Sequence, residues 1–314
     1  MTLSIIIPYH DEGVEFITTT INSIKETIDV EYEIIVVDDF SDIPLESIEN
    51  VTILRHTENL GVGAAFDTGV KESKFENIFL MGSDIRFVKN KWASQIVNEI
   101  ELYPKSFTCT SCVALSAEKL NIEERRLINV VNGATILMFH DKKSNPRQPE
   151  SFRGIIEAQW LPHLRNRNVD SFEIPCILGA AYGVKKEWYN YVDGWAGHKK
   201  WGTLEPYISL KSWFFGGSCR TAPRIETGHI FKTVGTHGTS QDKLLYNKMM
   251  VSTMLLDDYE RLISFLGTNP TVEKSKILYN ENLEFILKKR EEYKLKIVYN
   301  QLEFFERFKI DYRL

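Results

Sequence analysis

Two stretches decide the fold, "LSIIIPYH" at Leu3–His10 and "YEIIVVDD" at Tyr32–Asp39. Each is an unbroken Ile/Val run that ends in polar residues, and a helical pattern beginning near Glu12 separates them. Continuous β-branched runs joined through helices are the mark of strands covered on both faces. "VTILRHT", "NIFLMGSD" and "SFTCTSCVALS" extend the alternation, with helices expected over about 61–74 and 90–103. The pattern predicts an α/β, Rossmann-like, mostly parallel sheet with helices on both faces. Ligands of such sheets bind beyond the carboxyl ends of the strands, where His10, Asp38, Asp39 and Asp84 stand.

The chain has 314 residues, 43% of them hydrophobic, enough for a large core. No apolar run reaches the roughly 18 residues a membrane span needs, and no signal pattern precedes "LSIIIPYH", so a soluble cytoplasmic protein is expected. Cys109, Cys112, Cys176 and Cys219 are too scattered for a disulfide framework, and "CTSC" lies in an alternating run that reads as a strand with buried thiols. A net charge of -5 excludes a generally basic nucleic-acid binder, though not a local basic face.

From His140 to about Val169 the periodicity fails, and the segment reads as loops rich in Lys and Arg. Structure resumes at "CILGAAYGVKKEWYNYVDGW", continues in a helix around "EPYISLKSWFFGG" and a strand at "RIETGHIF", and turns helical after Thr239. "NLEFILKKREEYKLKIVYNQLEFFERF" reads as one long amphipathic helix or a hairpin. The expected organisation is a domain over 1–239, with a nucleotide-binding half to 116 and an acceptor half from 117, then a helical extension over 240–314.

"LSIIIPYHDEG", "YEIIVVDDFSD" and "ILRHTENLGVGAAFDTG" resemble the nucleotide-sugar half of GT-A glycosyltransferases of the family 2 type. "GAAYGVKKEWYNYVDGW", "WGTLEPYISLKSWFFGG" and "TGHIFK" resemble the catalytic domain of polypeptide N-acetylgalactosaminyltransferases. The resemblance implies a GT-A fold and transfer of a sugar from a nucleotide diphosphate, a UDP-sugar, to a hydroxyl.

It also assigns candidate residues. Asp38 or Asp39 would accept a base N–H or a ribose hydroxyl, with Pro8, Tyr9 and His10 as the adjacent wall; capping of turns by the two acids is the plain alternative. In the family the fourth strand ends in Asp-x-Asp or Asp-x-His, which holds Mn²⁺ or Mg²⁺. Here the triplet is Gly82-Ser83-Asp84, so the first acid is absent, and Asp84 and His229 are the expected metal ligands, with Ser83 and Lys232 facing the donor. Glu205 stands one position after the family's first acid, which Leu204 occupies; it is the catalytic candidate, against the ordinary role of a Glu at a helix start. Asp193 and His198 are weaker candidates, and Trp201, ahead of Gly202, is the aromatic residue expected to meet the donor.

The acceptor stays open among a saccharide, a protein Ser or Thr, and a hydroxymethylated pyrimidine in DNA. The DNA reading rests on Lys142, Lys143, Arg147, Arg153, Arg165 and Arg167 in the irregular insert. The alternatives to a transferase are a catalytically reduced nucleotide-sugar-binding module and a nucleotidyltransferase; the acidic "PYHDEGVEF" lacks the Gly/Lys-rich loop the latter would need.

Overall fold

A computed structural model describes residues 1–87, 91–115, 130–141, 153–161, 169–230 and 240–312. The first half runs β1 (Thr2–Tyr9), α1 (Val14–Thr27), β2 (Glu31–Asp38), β3 (Thr52–Arg55), α2 (Val62–Glu72), β4 (Asn77–Met81), β5 (Ile85–Phe87), α3 (Trp92–Leu102) and β6 (Ser106–Leu115). Then follow β7 (Val130–Val131), β8 (Ala134–Asp141), β9 (Arg153–Trp160), β10 (Phe172–Glu173), β11 (Ala181–Lys185), α4 (Lys186–Tyr191), α5 (Leu204–Phe214) and β12 (Ser218–Ile230). The chain ends in α6 (Gln241–Leu255), α7 (Tyr259–Phe265), α8 (Pro270–Glu281), α9 (Leu283–Lys294) and α10 (Gln301–Arg307).

Among the described residues the main sheet has ten strands, in the order β10-β12-β6-β11-β4-β1-β2-β3, with β5 on β12 and β7 on β6. Its first half is parallel, as the Ile/Val runs require: Ile5 sits beside Ile34 on one side and Phe79 on the other. Its second half is mixed, because β11 wedges antiparallel between β4 and β6. Strand β12 begins earlier than its sequence pattern suggests, since Ser218–Ala222 already pairs with β6. The register then shifts between Ala222 and Glu226, around Pro223, which has no N–H to give the ladder. Beyond the shift His229 pairs with Ile85 of β5, one residue from Asp84.

The irregular insert is partly regular. β8 and β9 form an antiparallel pair in a separate sheet, with Asp141 opposite Arg153. Arg153 is therefore a strand residue, its guanidinium 5.5 Å from the centroid of the Phe265 ring. Lys142, Lys143, Arg147, Arg165 and Arg167 lie outside the described residues. The four cysteines are free and buried, and burial pushes Cys109 up to about 11 and Cys112 to about 12.

The C-terminal helices share the core of the sheet. Met249, Met250 and Phe304 are as inaccessible as Ile5 and belong to one hydrophobic cluster with it. The stretch expected as one long amphipathic helix or a hairpin forms two helices, α9 and α10, and the link between them turns inward: Val298 and Tyr299 donate their N–H groups to the Phe214 carbonyl at 2.8 and 3.1 Å. No helix among the described residues is long and apolar enough to cross a membrane.

Candidate functional site

A cavity of about 280 Å³ opens at the carboxyl ends of β1, β2 and β4. Pro8, Tyr9, His10 and Asp39 form one side; Gly82, Ser83, Asp84 and His229 form the floor. Lys200, Trp201, Leu204 and Glu205 come from the segment leading into α5, and Ser240 and Lys243 from the start of α6. Residues far apart in sequence thus meet in one place.

The two strand-end acids part company. Asp38 does not line the cavity. Its Oδ1 accepts the Ser41 N–H at 2.8 Å, its Oδ2 accepts the Leu45 N–H at 3.1 Å and pairs with Arg55. Burial alone would raise this carboxyl, but the bonds from Ser41, Leu45 and Arg55 outweigh it and leave it below the ordinary range. Both oxygens of Asp38 are thus engaged inside the protein, away from the cavity lining. Asp39 does reach the cavity, and it also ties down the neighbouring loop. Its Oδ1 accepts the Leu60 N–H at 2.8 Å and lies 2.7 Å from His56 Nδ1, and its Oδ2 accepts the Gly61 N–H at 2.6 Å. That loop brings Asn59, whose Nδ2 is 2.9 Å from His10 Nε2.

On the floor, Asp84 Oδ2 and His229 Nε2 are 3.4 Å apart. Neighbouring ligands of an octahedral cation with bonds of roughly 2.1 Å stand about 3 Å apart, so the pair fits as two adjacent donors. Among the described residues no third Asp, Glu, His or Cys joins them. Gly82 stands where the absent first acid would be: a Cβ there would lie 2.5 Å from Asp84 Oδ1, the end of a side chain that can turn aside. Behind this turn Arg86 is fully buried over the Phe16 ring and donates to the Ser83 and Ile85 carbonyls, a support that no motif announced.

Glu205, the second residue of α5, reaches the cavity as expected, and burial raises its carboxyl above the ordinary range. Its side chain lies against Gly179, where a Cβ would sit 1.8 Å from Glu205 Oε1. Trp201 is 47% exposed and lines the same space, as an aromatic surface open to a ligand would. The weaker candidates do not line this cavity. Asp193 accepts the Tyr293 hydroxyl at 2.8 Å and pairs with Lys289, while His198 is buried with Nε2 2.6 Å from the Gly202 carbonyl. Burial lowers His198 to about 4, so the ring is neutral and donates that bond.

The segment from Asp193 to Thr203 is conformationally demanding: Asp193, Lys200 and Thr203 all have positive φ, as do Gly194, Gly197 and Gly202. Helix α6 holds it. Asn247 Oδ1 accepts the Lys199 N–H at 2.9 Å, and its Nδ2 donates to the Lys199 and Gly202 carbonyls at 2.8 and 3.2 Å. Sequence reasoning missed Asn59, Lys200, Lys243 and Asn247, and only Asn59 lay inside a quoted motif. Lys232 lies outside the described residues.

A half-parallel α/β sheet with an Asp/His pair and a Glu facing one cavity at its strand ends is the arrangement of a GT-A glycosyltransferase fold. Residues 4–192 match glycosyl transferase family 2, and the chain belongs to that family. It is 25% identical over 281 residues to polypeptide N-acetylgalactosaminyltransferase 10 of Rattus norvegicus, covering 83% of this chain and 43% of that protein. It is 24% identical over 311 residues to a probable N-acetylgalactosaminyltransferase 6 of Caenorhabditis elegans, covering 90% and 47%. The chain therefore spans about half the length of the curated relatives it matches. The crystal structure of GalNAc-T7 with UDP, GalNAc and Mn²⁺ shares its fold, with a TM-score of 0.70 over 98% of this chain and 56% of that one at 18% identity.

Proposed function

We propose that this chain transfers a sugar from a UDP-sugar to a hydroxyl acceptor, with Mn²⁺ held by Asp84 and His229. The observation that carries the reading is the convergence of Asp84, His229 and Glu205 on one cavity at the strand ends of a family 2 chain. When bound, the cation would offset charge on the diphosphate leaving group. Pro8, Tyr9, His10 and the loop fixed by Asp39 would seat the nucleoside, and Trp201 would cover the sugar.

Glu205 would accept a hydrogen bond from a reacting or sugar hydroxyl. A carboxyl raised by burial is better matched to proton exchange near neutral pH than an exposed one. The name of the Rattus norvegicus relative favours a polypeptide as acceptor, and both names favour an N-acetylhexosamine as the sugar; a saccharide acceptor is the second reading. No described residue favours the DNA acceptor, the nucleotidyltransferase or the non-catalytic module.

The test is to incubate the chain with Mn²⁺, a panel of UDP-sugars and peptide or glycan acceptors, and to follow UDP release and acceptor mass. Release with a UDP-N-acetylhexosamine and mass gain on a peptide are expected, both lost in Asp84→Asn. No UDP release from any nucleotide sugar would overturn the reading.

A further inference from the structure

Two lysines enter the cavity from the wall that no motif marked, Lys200 and Lys243. Lys200 is placed by backbone: the Val62 N–H donates to its carbonyl at 3.3 Å, and Gly61 packs so closely that a Cβ there would lie 2.3 Å from Lys200 Cα. Its ammonium donates to the Asn59 carbonyl at 2.5 Å and to Asn59 Oδ1, both neutral acceptors. Among the described residues neither Lys200 nor Lys243 is paired with a carboxylate at ion-pair distance. Burial and the nearby charge of Lys243 hold Lys200 below the ordinary lysine range, although Asp39 and Glu58 pull the other way. Two ammonium groups facing one concave space repel each other until an anion joins them.

The floor of the cavity supplies the complementary fact. With Gly82 where a second acid would stand, this floor carries one carboxylate for a cation. A divalent cation held by one carboxylate keeps a net charge of about +1, against about -2 on the diphosphate of a nucleotide sugar. Lysines lining the same cavity can take up the remainder.

We propose that Lys200 and Lys243 bind the diphosphate of the donor directly, so that nucleotide binding depends on these two side chains as well as on the cation. This rests on the donor reading given above. The lysines discriminate a diphosphate from a bare nucleoside, and they do so without metal.

Calorimetry of the intact chain with UDP and with uridine, in EDTA and in MnCl₂, tests it. In EDTA, UDP should bind about tenfold or more tightly than uridine, the effect of a charge-assisted contact. Lys243→Met and Lys200→Met should each remove about a tenfold share of UDP affinity in EDTA and leave uridine unchanged, with Lys243→Arg retaining most of it. Lys200→Met also frees Asn59, so Lys243→Met, which breaks no described side-chain hydrogen bond, is the decisive variant. UDP binding in EDTA that is no tighter than uridine, or equal in Lys243→Met and the parent, overturns the assignment. So does an unchanged UDP affinity with a raised acceptor KM, which would give the lysines to the acceptor. If the parent binds no nucleotide in either buffer, the donor reading itself falls first.

Discussion

The two sides of the cavity are built on different principles. The side from β1, β2 and β4 consists of strand ends in a parallel sheet, where position follows from the ladder: Pro8 lies beside Val37 and Tyr9 beside Asp38. The side from Asp193 to Glu205 has no ladder. It is a run of left-handed turns held by the buried helix α6, through Asn247, and by the close approach of Gly61 to Lys200. A regular sheet positions residues cheaply but leaves little freedom to shape a pocket. An irregular segment can aim Lys200, Trp201 and Glu205 inward, provided that something else bears its strain.

The largest effect should come where the two sides touch. Gly61→Ala places a Cβ on the Lys200 backbone at a φ of +98, and should cost about 3 kcal/mol or more in denaturant unfolding. Gly13→Ala, at a similar φ of +97 but with open space around it, should cost only about 1 kcal/mol. Equal losses would show that the sides are not coupled at Gly61.

Next comes Glu205. Glu205→Gln should lower the transfer rate about a hundredfold with an unchanged melting temperature, and Gly179→Ala, which displaces the same carboxylate, should follow it. A normal rate in both variants would make Glu205 an ordinary helix-start acid.

The strand-end acids separate structure from ligand. Asp38→Ala and Asp39→Ala should each cost about 2 kcal/mol of stability, because each strands backbone amides that it now satisfies. Only Asp39→Ala should also weaken UDP binding in calorimetry; a matching loss of affinity in Asp38→Ala would erase the distinction.

The smallest effect is the pH response of His198. Its folded value of about 4 lies below the ordinary 6.5, so its contribution to stability is complete above 6.5 and is lost as pH falls through 4. Between pH 6.5 and about 5 the parent should lose on the order of 1 kcal/mol more than His198→Gln, measured by thermal unfolding at each pH. The same slope in both proteins would mean that His198 is not buried neutral against Gly202.

The parallel strands and the residues at their ends were legible in the sequence. Ile/Val runs have a period and a composition that local sterics read directly, so Tyr9, Asp39, Asp84 and the strand bearing His229 could be placed from spacing and motif. It could not say that Asp38 turns inward to Ser41, Leu45 and Arg55, since adjacent acids at a strand end have the same composition and opposite directions. Nor could it mark Lys243, which reaches the cavity, or Asn247, which holds the segment behind it, since both lie beyond the motifs and are placed by the burial of α6 in the shared core. Local structure follows short-range backbone and burial preferences that neighbouring residues carry with them. The charge and shape of the cavity come from side chains brought together across the whole chain, and that meeting is decided by tertiary packing alone.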